Sequence, residues 1–261
     1  MSFIATLRGT GPLAHLVEHH ICNVGVTGSN PVRSTTDMSY YRNFKVVLSS
    51  EIFKRYLLWA YGKGIEDLAK LNFRPNFNQI DFSCLLCGVG NEETADLFIK
   101  FVTERNPRAK IWIVDLGQEQ IAAVNTLVKE KYPDLDIVVK RINALDLQTL
   151  IPNESLDWIE TDGFLEYFDS PDLERLFSIW RLLLKPSGFI TTRDFSTGNG
   201  IAAVSDAFRV WLAKRWLGVS LFRHTKDEYA RLFKQFNFKS AEGLTPLPTY
   251  KRFSIVKQNA D

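Results

Sequence analysis

From residue 80 onward the apolar positions alternate between two spacings. Short continuous runs (Phe82 to Cys87, Ile111 to Val114, Ile137 to Lys140, Asp157 to Glu160 and Phe189 to Thr192) have the length and β-branched character of buried strands. Between them lie segments with apolar residues three and four apart. One follows Asn91 and runs through Arg105, and one places Ile121, Val124, Leu127 and Val128 on a single face and stops at Pro133. A third opens at Ser170-Pro171-Asp172, with a cap, a proline at the first helical position and an acid in the first turn. Two last runs, Phe238 to Leu244 and Arg252 to Val256, flank Thr245-Pro-Leu-Pro-Thr249 and read as an antiparallel pair. Strand and helix alternating on this scale predict an α/β fold: a doubly wound, mostly parallel sheet of seven strands whose last strand is antiparallel.

Before the first strand the pattern is helical. Ser49-Ser50 can cap a helix carrying Ile52, Phe53, Tyr56, Leu57 and Ala60, and Gly62 and Gly64 are expected to end it, with a second short helix over Ile65 to Leu71. After the fifth strand, Ser196-Thr-Gly-Asn-Gly200 is a loop, and a helix is expected from Ile201 to Trp216. Its Phe208, Trp211, Leu212, Trp216 and Leu217 either line a substrate pocket or pack against the core. Thr225 to Glu228 forms a capping box that opens a further helix.

The sharpest chemical signal sits at the first strand, glycine turn and helix. In a parallel sheet the ligand lies beyond the carboxyl ends of the strands. There Gly88 and Gly90 let the backbone come close, and Asp115, closing the second strand, can accept from both hydroxyls of a ribose. A nucleoside-containing cofactor is therefore the expected occupant. Glu92 and Glu93 stand at the start of the following helix, where a dinucleotide site leaves the N-terminus open to pyrophosphate. Two carboxylates repel pyrophosphate but tolerate a cofactor with no phosphate and a positive centre, such as S-adenosylmethionine.

Four stations in order resemble the class I S-adenosylmethionine-dependent methyltransferases: Cys87-Gly-Val-Gly90, Ile113-Val-Asp-Leu116, Ile142-Asn-Ala-Leu-Asp146, and the pair formed by Leu156-Asp-Trp-Ile159 and Arg181 to Gly188. The likeness covers residues 79–258 as a methyltransferase domain with a Rossmann-like seven-stranded sheet, preceded by a helical preface over 38–78 and carrying a helical insertion at about 200–218. It departs from the family pattern at Leu86, Glu92 and Asn143, where an acid, a glycine and an aspartate are common. The resemblance implies S-adenosylmethionine as cofactor, with Gly88 and Gly90 at its backbone and Asp115 and Leu116 at the ribose. Asn143 and Ala144 would meet the adenine edge, and Thr161 the methionine end. Tyr40, Tyr41 and Tyr56 of the preface are in place to touch the cofactor or to pack on the sheet.

Methyl transfer from a sulfonium needs mainly positioning, with a base only where the acceptor must lose a proton. Candidates for handling the acceptor follow strands four and five: Asp162, Glu166, Tyr167, Arg193, Asp194 and His224, of which Asp162, Tyr167 and His224 are the catalytic candidates. Residues 161–164 lack the Asn/Asp-Pro-Pro-aromatic signature of enzymes that methylate base amino groups. A small-molecule acceptor is the expectation. The rivals are a nucleoside-binding protein without turnover and an NAD(P)-dependent oxidoreductase.

Composition adds limits. The chain has 261 residues, 45% apolar and 24% charged, with a net charge of +2, which gives no ground for expecting nucleic acid or membrane as partner. No apolar run reaches the roughly 18 residues of a transmembrane helix. Three cysteines, Cys22, Cys84 and Cys87, are too few for a disulfide framework, and a cytoplasmic location follows as the expectation. Cys84 and Cys87 have metal-site spacing, but on a strand they face opposite ways, so two buried thiols and no metal are expected.

Residues 1–37 differ from the rest. They hold three of the four histidines, and His15, His19, His20 and Cys22 could bind a metal by count alone. The segment instead resembles a conceptual translation of a transfer-RNA gene. Gly28-Ser-Asn-Pro31 can be written GGU-UCG-AAU-CCN, a T-arm sequence, and Leu16-Val-Glu18 can be written as part of a D arm. Translation from Met38 and a leader without a fold of its own are the expectation.

Overall fold

A computed structural model describes residues 48–197, 201–217, 220–246 and 249–258. The leader over 1–37, Tyr40 and Tyr41 lie outside the described residues, as do the side chains of Leu212, Trp216 and Leu217. The elements are α1 (Glu51–Leu68), β1 (Ser83–Cys87), α2 (Glu92–Thr103), β2 (Lys110–Asp115), α3 (Gln118–Lys131), β3 (Ile137–Arg141), β4 (Leu156–Asp162), α4 (Ser170–Leu183), β5 (Leu184–Phe195), α5 (Ile201–Leu212), α6 (Lys226–Gln235), β6 (Phe238–Leu244) and β7 (Tyr250–Lys257). Short 3₁₀ turns cover Ala69–Leu71, Ala144–Thr149 and Leu165–Tyr167, and α5 runs on into a π-helical turn, Ala213–Leu217.

The seven strands form one sheet in the order β3-β2-β1-β4-β5-β7-β6. β1 pairs in parallel with both β2 and β4, and β5 extends the parallel set. β7 enters antiparallel between β5 and β6. The chain therefore winds outward from β1 in one direction to β3 and then restarts on the other side at β4. That reversal opens a crevice at the carboxyl ends of β1 and β4, where doubly wound folds bind ligands.

The central strands are buried almost throughout because both faces are covered. On the face under α1 and α2, Trp158 stacks on Phe189 with 5.7 Å between ring centroids, and Phe98 and Phe101 close around it. On the other face Trp180 of α4 lies parallel to Phe164. Cys84 and Cys87 are buried free thiols in β1, each pushed well above the ordinary thiol value by burial. Among the described residues no helix is long and apolar enough to cross a membrane.

Three expectations are corrected. Gly62 and Gly64 do not end the first helix: α1 continues through them to Leu68. At Gly64 the helix lies directly against β5, so that an added Cβ would stand 3.0 Å from the Thr191 methyl carbon, and Ser254 on β7 donates its hydroxyl to the Gly64 carbonyl at 2.8 Å. The glycine allows close packing of helix on sheet rather than termination. Thr161 and Asp162, expected beyond the end of the fourth strand, are the last two residues of β4 and paired in register with Thr192 and Arg193. Phe208 and Trp211 of α5 do not pack inward but stand exposed.

Candidate functional site

Gly88 adopts φ +82°, a left-handed conformation that favours glycine, and a Cβ there would meet the Phe164 ring at 2.6 Å. This turn carries the chain from β1 towards Asn91, which caps α2. The Asn91 carboxamide accepts from Thr94 N at 2.9 Å, and Thr94 Oγ1 accepts from Asn91 N at 3.1 Å. The first turn of α2 carries Glu92 and Glu93, and the adjacent cation, Lys54 of α1, is bonded to Glu93 at 2.7 Å and to Glu51 at 3.2 Å. A pyrophosphate would meet carboxylates and a self-capped helix end here, whereas a cationic ligand would not be repelled.

Asp115 ends β2 beside this loop. Its Oδ2 accepts from Val89 N at 2.7 Å and its Oδ1 from Gly117 N at 2.6 Å, so one buried carboxylate ties the glycine loop to the turn after β2. Leu116 follows, half-buried. The next strand is joined to the same place: Ile142 N donates to the Asp115 carbonyl at 3.1 Å. Asn143 then caps the 3₁₀ turn by accepting from Leu145 N at 2.9 Å, and Ala144 is buried behind it. The ends of β1, β2 and β3 are thus connected by hydrogen bonds through Asp115.

A cavity of about 30 Å³ opens beside the loop, bounded by Gly88, Gly90 and Thr94 on one side and by Asp162 and Arg193 on the other. Leu48, Phe53, Leu57 and Tyr61 cover it, and Leu86 forms its floor. Leu48 stands where a Cβ on Gly90 would come within 2.9 Å, so the segment leading into α1 closes on the glycine loop.

The wall opposite the loop is charged and buried. Arg193, 1% exposed, is forked between Asp162 (Nε at 2.8 Å, Nη2 at 2.6 Å) and Glu160. Tyr250 donates its hydroxyl to Asp162, Thr191 donates to Glu160, and Trp158 Nε1 donates to Thr191 at 2.6 Å. The Tyr61 ring lies under the Arg193 guanidinium, 5.3 Å away. Burial pushes Glu160 up to about 7, against the pull of Arg193. Tyr56 turns its buried hydroxyl towards this cluster without a hydrogen-bond partner, and burial and the Asp162 charge hold its phenol well above its ordinary value.

Of the residues singled out from the sequence, Gly88, Gly90 and Asp162 share the cavity with Arg193, and Asp115 is bonded to the loop between the glycines. Asn143 and Ala144 follow one turn further along. Thr161 points to the opposite face of the sheet from Asp162, buried and with its hydroxyl unpartnered. Tyr167 is buried in its 3₁₀ turn and does not line the cavity. Neither does His224, which is buried, with Nδ1 3.0 Å from Glu228 and Nε2 2.8 Å from the Phe168 carbonyl. Glu166 is paired with Arg209 at 2.6 Å, and Asp194 receives the amides of Phe164 and Leu165 at 3.1 and 2.9 Å. Among the described residues no three His, Cys, Asp or Glu side chains are grouped to hold a metal ion.

Tyr61 and Glu160 were not picked out from the sequence. Glu160 had a signal: two acids at alternate positions near the end of an otherwise apolar strand, Glu160 and Asp162, matched by Arg193 on the next strand.

No family model matches the sequence, and no curated protein matches it at a significant level. Solved structures do. Magnesium protoporphyrin IX methyltransferase from Synechocystis PCC 6803, with bound SAH, superimposes with a TM-score of 0.58 at 9% identity over 87% of this chain and 98% of its own. A SAM-dependent methyltransferase from Methanosarcina mazei gives 0.52 at 14% identity over 71% and 96%. An O-methyltransferase family protein from Burkholderia thailandensis gives 0.52 at 15% over 69% and 52%, so that the chain spans about half the length of that protein. The chain has the class I SAM-dependent methyltransferase fold: a Rossmann-like seven-stranded sheet with an antiparallel last strand and a helical N-terminal element.

Proposed function

We propose that this protein is an S-adenosylmethionine-dependent methyltransferase acting on a small organic acceptor. The observation that carries the reading is the junction of the β1 glycine loop with Asp115, set in a surround of carboxylates and opening on a cavity bounded by Asp162 and Arg193. The donor set suits a nucleoside with a cationic centre. Glu92, Glu93 and Asp162 carry negative charge around the loop, while Lys54 is held by Glu93.

When bound, the cofactor supplies a methyl group already activated by a sulfonium. Gly88 and Gly90 would admit it close to the main chain, Asp115 and Leu116 would hold the ribose, and Asn143 and Ala144 would border the adenine. Leu48, Phe53 and Leu57 would exclude water from above. Asp162 is the acceptor-handling candidate the geometry favours, because Arg193 and Tyr250 fix its carboxylate at the cavity wall. A carboxylate so anchored can orient an acceptor hydroxyl or amine and take its proton where the acceptor must lose one.

The test is turnover. Radiolabelled methyl from S-adenosylmethionine should appear on members of a panel of phenols, amines and carboxylic acids, and Asp162→Asn should lower kcat more than it weakens cofactor binding. Cofactor binding with no transfer across the panel would instead favour a binding protein without turnover.

A further inference from the structure

α5 is inside out relative to an ordinary surface helix. Its charged residues, Asp206 and Arg209, are buried, while Val204, Phe208 and Trp211, spaced four and three apart on one stripe, are 71%, 58% and 55% exposed. The inward face explains how the helix is held despite this. Arg209 reaches Glu166 at 2.6 Å and Asp206 at 2.9 Å and lies over the Phe195 ring at 3.7 Å, while Asp206 receives Thr197 Oγ1 at 2.7 Å and Arg223 Nε at 3.1 Å. A buried ion network thus holds the inner side of the helix and fixes the orientation in which the aromatic stripe faces out. Phe208 and Trp211 stack on one another at 5.7 Å. Immediately beyond them come Lys214 and Arg215, both exposed.

We propose that this stripe docks on an anionic lipid surface. Aromatic and aliphatic side chains on a helix lying in the interface, bordered by basic residues that meet anionic headgroups, are the chemistry of such contacts. The charge of the border selects the occupant: Lys214 and Arg215, exposed at one end of the stripe, complement a negative surface. The chain's net charge of +2 carries no such signal, since the effect lies in the local placement. α5 follows the carboxyl end of β5, the same end of the parallel strands as Gly88, so docking would turn the cavity side of the sheet towards the lipid. Resting on the methyltransferase reading, the acceptor would then be an amphiphile drawn from that interface; the docking itself does not depend on that reading.

The experiment is co-sedimentation of the full chain with phosphatidylcholine vesicles containing or lacking roughly one-third phosphatidylglycerol. The wild-type chain should pellet with the anionic vesicles. Phe208→Glu with Trp211→Glu should abolish this, and Lys214→Glu with Arg215→Glu should weaken it by at least about five-fold per residue. S-adenosylhomocysteine binding, measured by calorimetry, should be the same in both variants as in wild type, which separates docking from folding and from the cofactor site. The proposal is overturned if the wild-type chain stays in the supernatant, or if F208E/W211E or K214E/R215E pellets as well as wild type. Failure to pellet, with a dimer by light scattering that F208E/W211E dissolves, would assign the stripe to a second copy of the chain instead.

Discussion

Asp115 ties two turns together, and under the proposed function the same side chain would also bind the ribose. Both its oxygens accept from backbone amides, one in the glycine loop and one beyond β2, and a carboxylate has lone pairs left for ribose hydroxyls. Asp115→Ala should weaken S-adenosylhomocysteine binding by about 1–3 kcal/mol, the range for losing charged hydrogen bonds, as read by calorimetry. Unchanged affinity would remove Asp115 from the site. Gly88→Ala forces a side chain into a left-handed conformation and against Phe164, and should lower unfolding stability by about 1–3 kcal/mol in urea titration. A third prediction concerns Asp194, which burial and the neighbouring Glu166 push from 3.8 up to about 8, against the pull of the Phe164 and Leu165 amides. The unfolded chain releases this proton near pH 4 and the folded chain retains it to about pH 8. The stability it contributes is therefore complete below pH 4 and lost as pH rises through 8. Between pH 5 and 8.5 the wild-type unfolding free energy should fall more steeply than that of Asp194→Asn, and parallel curves would refute the shift. At this scale Gly88 was legible because its turn needs a left-handed residue, and Asp115 because an acid closing the second strand stands beside that turn. The sequence did not expose the burial of His224, which depends on a carbonyl 56 residues away, nor the Asp162–Arg193 fork, which exists only once β4 and β5 are in register.

Among the elements, the alternating strands and helices were legible because their apolar runs are short and β-branched and their amphipathic runs are capped. Asn91 and Thr225 both cap as their positions suggest, and Asp169, one residue ahead of the expected start, caps α4. α1 was misjudged for an equally physical reason: a glycine that stops a solvent-exposed helix can also let a buried one approach a sheet. Gly64→Leu should drive α1 away from Thr191, costing about 1–3 kcal/mol of stability. Because α1 supplies Phe53, Leu57 and Tyr61 to the cavity, the same variant should bind S-adenosylhomocysteine more weakly. A variant as stable as wild type, or one that binds normally, would contradict this packing. In α5 the helix itself was expected but its orientation was not, since Asp206 and Arg209 turn inward only because Glu166 and Thr197 wait to receive them.

For the whole molecule, the topology places Gly88, Gly90, Asp115, Leu116, Asn143, Ala144 and Thr161 at one end of one sheet, and the class I fold is common to the methyltransferases it superimposes on. In this chain the glycine loop is flanked by acids, an arginine fork is buried in the opposite wall, and the first helix covers both. The central claim is that the crevice accepts adenosine joined to a sulfur centre and rejects adenosine joined to pyrophosphate. Isothermal titration of the purified chain with S-adenosylhomocysteine and, separately, with NAD tests it most directly. The account predicts saturable binding of S-adenosylhomocysteine, weakened in Asp115→Ala, and no heat from NAD. Saturable binding of NAD with none of S-adenosylhomocysteine would contradict it.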